Sequence, residues 1–222
     1  MIRTAVIGFG LSAQTFHLPF LSCSSEYEIV AISSRQTDLI QTKYPGIKLY
    51  PQAADLLKNT KDIDLVVITA PNAVHYRLAK QALKQNLHVV LEKPFVNNLN
   101  EGKELIELAQ QTQKILSVYH NRRWDSDFLT LQALISSEVL GRIHYFESHF
   151  DRFRPQVRKR WREALGPGAG IWYDLGPHLL DQALLLFGSP KKLTARCLKL
   201  RPQAQVTDYF HVQLHYPGRS EE

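Results

Sequence analysis

Cysteine is scarce. Cys23 and Cys197 are the only two in 222 residues, and they stand far apart without forming a Cys-x-x-Cys pair. That spacing offers neither a disulfide framework nor a thiolate zinc site. No His-Glu-x-x-His cluster occurs, so the one metal candidate is the incomplete set Asp174, His178 and Asp181, and no metal is expected. No apolar run approaches the roughly 18 residues of a membrane span. Met1-Ile2-Arg3 leads straight into a strand-like run with no basic-then-apolar leader, which points to a cytoplasmic protein. Internal repeats and low-complexity tracts are absent. Acidic residues are the minority, 21 against 27 basic, and the net charge is +6. Part of the excess is concentrated in Arg152, Arg154, Arg158, Lys159, Arg160 and Arg162. No stacking aromatic motif or recognition-helix pattern accompanies that run, which argues against a nucleic-acid partner. It reads either as a solvated loop or as a collar of positive charge around an anionic ligand.

What is present starts at the N-terminus. The apolar run Ala5-Val6-Ile7 breaks into Gly8-Phe9-Gly10-Leu11-Ser12-Ala13, a Gly-x-Gly-x-x-Ala turn leading into a helical pattern. Gly8 supplies dihedrals that a side chain forbids, Gly10 lets backbone approach a pyrophosphate, and Ala13 keeps the helix close to the sheet. Unpaired N–H groups and the helix dipole then favour an anion. The motif alone also suits a merely structural turn. Its position after one strand and before an amphipathic segment and a second strand favours a dinucleotide site.

To about residue 120, apolar strand-like runs alternate with helix-period segments, the pattern of a parallel sheet covered on both faces. The strands expected are Ala5–Ile7, Ile29–Ser33, Lys48–Tyr50, Leu65–Thr69, His88–Leu91 and Ile115–Tyr119. The clearest helices are Tyr76–Gln85 and Glu101–Gln111. Right-handed crossovers place the ends of strands one, two, four and five along one edge of the sheet. We therefore expect a doubly wound Rossmann domain over 1–120. An incomplete α+β domain with a mainly antiparallel open sheet is expected over 121–222. Its expected elements are a helix Ser126–Ser136, a strand Arg142–Phe150, a glycine-rich loop, a helix Leu179–Phe187, and strands Leu193–Leu200 and Tyr209–Tyr216. The tail from Pro217 to Glu222 would leave an unprotected sheet edge.

The chemistry-bearing residues fall at the expected strand ends. The second strand closes on Ser33-Ser34-Arg35, with no acid to bind a ribose 2′-hydroxyl and with donors suited to a 2′-phosphate. NADP is thus preferred and NAD allowed. After strand four come Ala70-Pro71-Asn72 and His75, and after strand five Glu92-Lys93-Pro94. Pro94 pushes Lys93 toward an extended backbone and can take the cis form. Lys93 at the mouth of a nucleotide site can stabilise a developing alkoxide, although in isolation it reads as a surface lysine. His75 alone reads as a cap-region histidine. In the second half, Asp174-Leu175-Gly176-Pro177-His178 announces a loop entering a helix, with Asp174 as the cap and His178 one turn along. The dipole would keep that imidazole neutral and able to accept a proton, with the carboxylate orienting it. An N-cap followed by a buried histidine is the plain alternative.

Together these residues resemble the glucose-fructose oxidoreductase and inositol dehydrogenase family (Gfo/Idh/MocA). The resemblance is carried by Gly8-Phe9-Gly10, Pro71-Asn72 with His75, Glu92-Lys93-Pro94, Asn121-Arg122-Arg123-Trp124 and the Asp174–His178 pair. It implies a Rossmann N-domain, a C-terminal open sheet often used in homo-oligomerisation, and redox chemistry on a sugar, polyol or cyclitol alcohol. It also implies that Lys93 lies near nicotinamide and substrate, that His178 transfers the proton and that Asp174 is its acidic partner. Asn121 and Arg123 would lie near cofactor or substrate, and Trp161-Arg162 in the cofactor cleft. Family members continue further, so the sequence resembles a truncated member. Three readings follow: NADP-dependent hydride transfer at a CH–OH carbon, a redox-silent dinucleotide sensor or inactive family member, and a remote Schiff-base chemistry at Lys93.

Overall fold

The computed structural model describes residues 1–217, so the tail from Gly218 to Glu222 lies outside the described residues. The chain divides into two compact units, Met1–Tyr119 and His120–Glu222.

In the first unit, β1 (Ile2–Ile7), β2 (Tyr27–Ser33), β3 (Lys48–Tyr50), β4 (Leu65–Ile68), β5 (His88–Glu92) and β6 (Leu116–Tyr119) form one parallel sheet in the order β3-β2-β1-β4-β5-β6. This is the doubly wound order, in which the topology reverses between β1 and β4. The strands are buried on both faces, which explains their near-continuous apolar reading. Ala5, Ile7, Ala31, Val66 and Ile68 face a core shared with α4 (His75–Lys84) and α5 (Leu99–Gln111). Their alternates Val6, Ile32 and Val67 face a second core with Leu18 of α1 (Leu18–Cys23) and Ile40 of α2 (Thr37–Lys43). A short α3 (Ala53–Lys58) covers the β3 end of the first core. All six expected strands are present, five within two residues of their expected bounds and β1 starting three residues earlier than expected. All parallel, they bring Gly8, Ser34, Thr69 and Lys93 to the C-terminal edge of the sheet.

The second unit carries α6 (Ser126–Ser136), α7 (Ile171–Phe187) and an antiparallel pair, β7 (Lys192–Leu198) with β8 (Tyr209–His215). β8 packs toward α7, with Trp172 against Phe210 at 5.3 Å between ring centroids. Every residue of β7 is exposed.

Two expectations fail here. Residues 142–150 form no strand. No described strand pairs with them, so alternation alone has no ladder to satisfy. Phe146 instead packs on Phe187, and Phe150 lies near His178. The second failure concerns α7, which starts at Ile171, eight residues before the expected Leu179, and takes in Pro177. Gly176 and Pro177 are therefore helical residues. A Cβ on Gly176 would stand 2.5 Å from the Trp172 ring, so the glycine answers a packing demand. The actual N-cap is Gly170, at φ 93°. Its N–H donates to Arg162 O at 2.8 Å, and that of Ile171 donates to Thr207 O at 2.8 Å.

Candidate functional site

The first turn has the strain a dinucleotide clamp requires. Gly8 sits at φ +103°, and a Cβ there would lie 2.6 Å from Thr69 Oγ1 and 3.1 Å from the Thr69 carbonyl. Gly8 N–H donates to Ser33 O at 2.9 Å, which pins the turn at the switch point. A Cβ on Gly10 would meet nothing within 4 Å. That open space beside backbone is where a pyrophosphate can approach, so the residues present fit a dinucleotide. Phe9 turns its ring into the core, against Tyr44, and its carbonyl accepts from Gln14 Nε2 and Gln36 Nε2. Phe9 can therefore offer a ligand only backbone.

Beyond the turn, buried Ala13 opens a π-helical segment, Ala13–His17, a geometry frequent at functional sites. Ser12, the residue before it, makes no cap bond with its side chain. Its hydroxyl donates instead to Glu92 Oε1, which His17 Nε2 also meets at 3.0 Å. The other Glu92 oxygen accepts from Lys93 N–H at 3.1 Å. Burial acts to raise the Glu92 pKa, but the bonds from His17 and Ser12 outweigh it and hold the carboxyl below its ordinary range. Tyr119 lies over the His17 ring at 4.2 Å and donates to Phe16 O at 2.8 Å. Burial, and then the Glu92 charge, push the Tyr119 phenol up. The side chains of Ser12 and Glu92 are engaged with each other.

His75 is fully buried. Its Nδ1 lies 2.9 Å from Pro94 O and its Nε2 2.9 Å from Ala70 O, so it links the two strand-end segments from behind. Both ring nitrogens thus face protein carbonyls rather than solvent. Asn72 is buried as well, and its carbonyl accepts from Asn97 Nδ2 at 3.2 Å. The Lys93–Pro94 peptide is cis. At the tip of β2, Ser33 is buried, Ser34 Oγ accepts from Gln36 N–H at 3.2 Å, and Arg35 is exposed. No carboxylate pairs with Arg35 among the described residues.

In the second unit, Asp174 does not cap α7. It lies in the first turn, with Oδ1 3.4 Å from Arg162 Nε, and Arg162 lies over the Trp161 ring at 4.5 Å. His178, one turn further and buried, stands too deep in the helix for the terminal dipole, which fades within the first turn. The reason given for a neutral ring there falls away, while the shared face of Asp174 and His178 remains. Asp181 continues that face. Both its oxygens are held by Arg123, at 2.7 Å and 2.6 Å. Arg123 thus pairs in a bidentate manner with Asp181. Half-buried Asn121 lies in the same short helical turn as Arg123, whose neighbour Arg122 accepts at its carbonyl from Gln182 Nε2 at 3.1 Å. Among the described residues, no group of three His, Cys, Asp or Glu side chains could hold a metal ion. No helix there is long and apolar enough to cross a membrane.

Sequence reasoning missed His17 and Tyr119, which reach Glu92 from distant positions with no local motif. It also missed Glu163, Arg201 and Asp208, which Arg201 joins across 38 residues on one side and 7 on the other.

Residues 2–120 match the oxidoreductase family with an NAD-binding Rossmann fold, and residues 128–220 match the GFO/IDH/MocA C-terminal domain. The chain belongs to the Gfo/Idh/MocA family of oxidoreductases. Within this family it is 51% identical over 218 residues to the uncharacterized oxidoreductase YdgJ of Escherichia coli K12, covering 98% of this chain and 63% of that protein. It is 40% identical over 215 residues to the scyllo-inositol 2-dehydrogenase (NADP(+)) IolW of Bacillus subtilis 168, covering 97% of this chain and 60% of that one. The solved structure of the oxidoreductase yvaA from Bacillus subtilis superposes with a TM-score of 0.91 at 37% identity, covering 99% of this chain and 61% of that chain. The chain thus spans 60% to 63% of the length of these Gfo/Idh/MocA relatives. Its first unit is the NAD(P)-binding Rossmann domain of the family.

Proposed function

We propose that this protein transfers hydride between the nicotinamide of NADP(H) and a CH–OH carbon of a sugar, polyol or cyclitol. The observation that carries the reading is the strained Gly8 turn beside the open Gly10 backbone, at the switch point of a sheet whose other strand ends carry Arg35 and Lys93. The dehydrogenase named for scyllo-inositol and NADP(+) supports both the cofactor and the substrate class. NADP in preference to NAD rests on exposed Arg35 and on the missing acid at the tip of β2.

When bound, the nicotinamide would supply the acceptor for the hydride of the substrate C–H bond. The chain's residues manage the proton and the charge. In the oxidative direction His178 accepts the hydroxyl proton as the C–O bond becomes a carbonyl, and Asp174, one turn away on α7, offsets the charge the imidazole gains. The Lys93 ammonium stabilises the oxygen while it carries negative charge. The Glu92–Ser12–His17 cluster fixes the backbone on which Lys93 stands. Copies associate in this reading through the open sheet of β7 and β8, and light scattering that finds only monomer would remove that part.

Fluorescence titration with NADPH, followed by turnover on a panel of polyols, inositols and aldoses, tests the proposal. Lys93→Met and His178→Asn should each lower turnover by about a hundredfold or more while leaving NADPH affinity within a few-fold. Unchanged turnover in both variants would sink the mechanism. Binding without oxidation of any substrate would make the protein a redox-silent dinucleotide module.

A further inference from the structure

A cavity of about 310 Å³ opens within the second unit, with Asp174 and Arg162 on its wall. Four more arginines line it: Arg152, Arg154, Arg160 and Arg201. Three carboxylates, those of Glu163, Asp174 and Asp208, face these five guanidinium groups. Glu163 and Asp208 are spent on the frame. Glu163 accepts from Arg158 N–H at 3.0 Å and from Arg160 Nε at 2.8 Å, and it pairs with Arg201 at 3.2 Å. Asp208 accepts from Leu200 N–H at 2.7 Å and from Arg201 Nε at 2.9 Å. Asp174 faces Arg162.

Arg152 and Arg154 remain. Neither guanidinium pairs with a carboxylate among the described residues, and the backbone at Arg154 is held in place, because Arg201 Nη1 donates to Arg154 O at 3.3 Å and to Gln156 O at 3.2 Å. Burial, then the charges of Arg152, Arg158 and Arg160, lower the pKa of the Arg154 guanidinium, with Glu163 acting in the opposite direction. Two planar donors lining one cavity beside a candidate catalytic carboxylate suit a planar or tetrahedral oxyanion.

We propose that the cavity is an oxyanion subsite, in which Arg152 and Arg154 bind the phosphate or carboxylate of an anionic sugar substrate whose reacting hydroxyl is served by Asp174 and His178. The proposal rests on the hydride-transfer reading for the second half of that statement only. Charge complementarity at the cavity then raises both affinity and encounter rate for sugar phosphates and sugar acids over neutral sugars.

Calorimetric titration with inorganic phosphate, run with and without saturating NADPH, tests the subsite directly. Phosphate should bind in both conditions, and the double variant Arg152→Gln/Arg154→Gln should weaken it by about tenfold or more while leaving NADPH affinity unchanged. Parallel titrations with D-glucose 6-phosphate, D-glucuronate and D-glucose identify the source of the anion. Preference for either charged sugar, erased by the double variant, supports the subsite and names its ligand as phosphate or carboxylate. Equal binding of all three sugars overturns it. So does phosphate binding that survives the double variant, or that NADPH abolishes, since the latter would assign the arginines to the cofactor's own phosphates. Loss of NADPH binding in the unaltered chain would count against hydride transfer alone, because the phosphate titration without NADPH does not depend on it.

Discussion

His75 Nδ1 lies 2.9 Å from the carbonyl oxygen of Pro94, so the residue that opens α4 grips the segment that carries Lys93. Through Nε2 the same ring meets Ala70 O. His75 is therefore a positioning residue. Burial lowers the His75 pKa and favours the neutral ring, which has one N–H to donate, so replacing it with Ala costs about 1–3 kcal/mol for the one bond lost, besides the packing of the ring between the two carbonyls. The expected outcome is a lower urea midpoint together with a fall in kcat that exceeds any change in KM or NADPH affinity. His75→Gln, which retains a donor, should recover part of the midpoint and part of kcat. Full activity in His75→Ala would deny the positioning role.

The two glycines of the first turn should respond oppositely. Gly8→Ala meets the Thr69 hydroxyl and carbonyl at a φ that disfavours side chains, and strain of about 1–3 kcal/mol should appear as a lower thermal midpoint. Gly10→Val enters open space, so the midpoint should hold while NADPH affinity falls by at least about tenfold. Retained affinity in a folded Gly10→Val protein would move the dinucleotide elsewhere.

Arg35 should decide the coenzyme. Arg35→Ala removes a charged donor from the β2 tip, and the expected loss is about tenfold to a hundredfold for NADPH with little change for NADH. Equal loss for both coenzymes would remove the assignment.

Acid stability offers a test in the first unit. The Arg3 guanidinium and backbone N–H hold Asp64 down to about 2. Because the folded value lies below the unfolded one of roughly 3.9, the unfolded chain binds the proton more readily. The contribution is therefore complete above about pH 4 and is lost as the pH falls toward 2. Asp64→Asn should lower the denaturation midpoint at pH 7, where the contribution is complete, and flatten its fall between about pH 4 and 2. An unchanged slope would show that other carboxylates govern acid unfolding.

The sheet was legible because its strands are buried on both faces and punctuated by residues with one purpose: Gly8 for its dihedrals, Pro71 and Pro94 for stopping strands. Legibility failed where a residue serves packing. Gly176 and Pro177 read as a loop, yet the glycine makes room for Trp172 inside α7. Residues 142–150 read as a strand because alternation says nothing about whether a partner strand is present. The Asp174–His178 spacing survived the misplaced helix start, since a four-residue step shares a face wherever the helix begins. The binding of Glu92 by Ser12 and His17 joins positions about 80 apart in sequence, and no local pattern encodes such a contact.

Between α6 and α7 lies a long stretch with almost no repeating backbone pattern, and its order depends on Arg201. That single planar cation gathers Asp208, Glu163 and the carbonyls of Arg154 and Gln156 at one point. Lysine could carry the charge but not the fork of donors. The stretch is thus organised as spokes around a hub, and exchanging one side chain would loosen three distant pieces of polypeptide together.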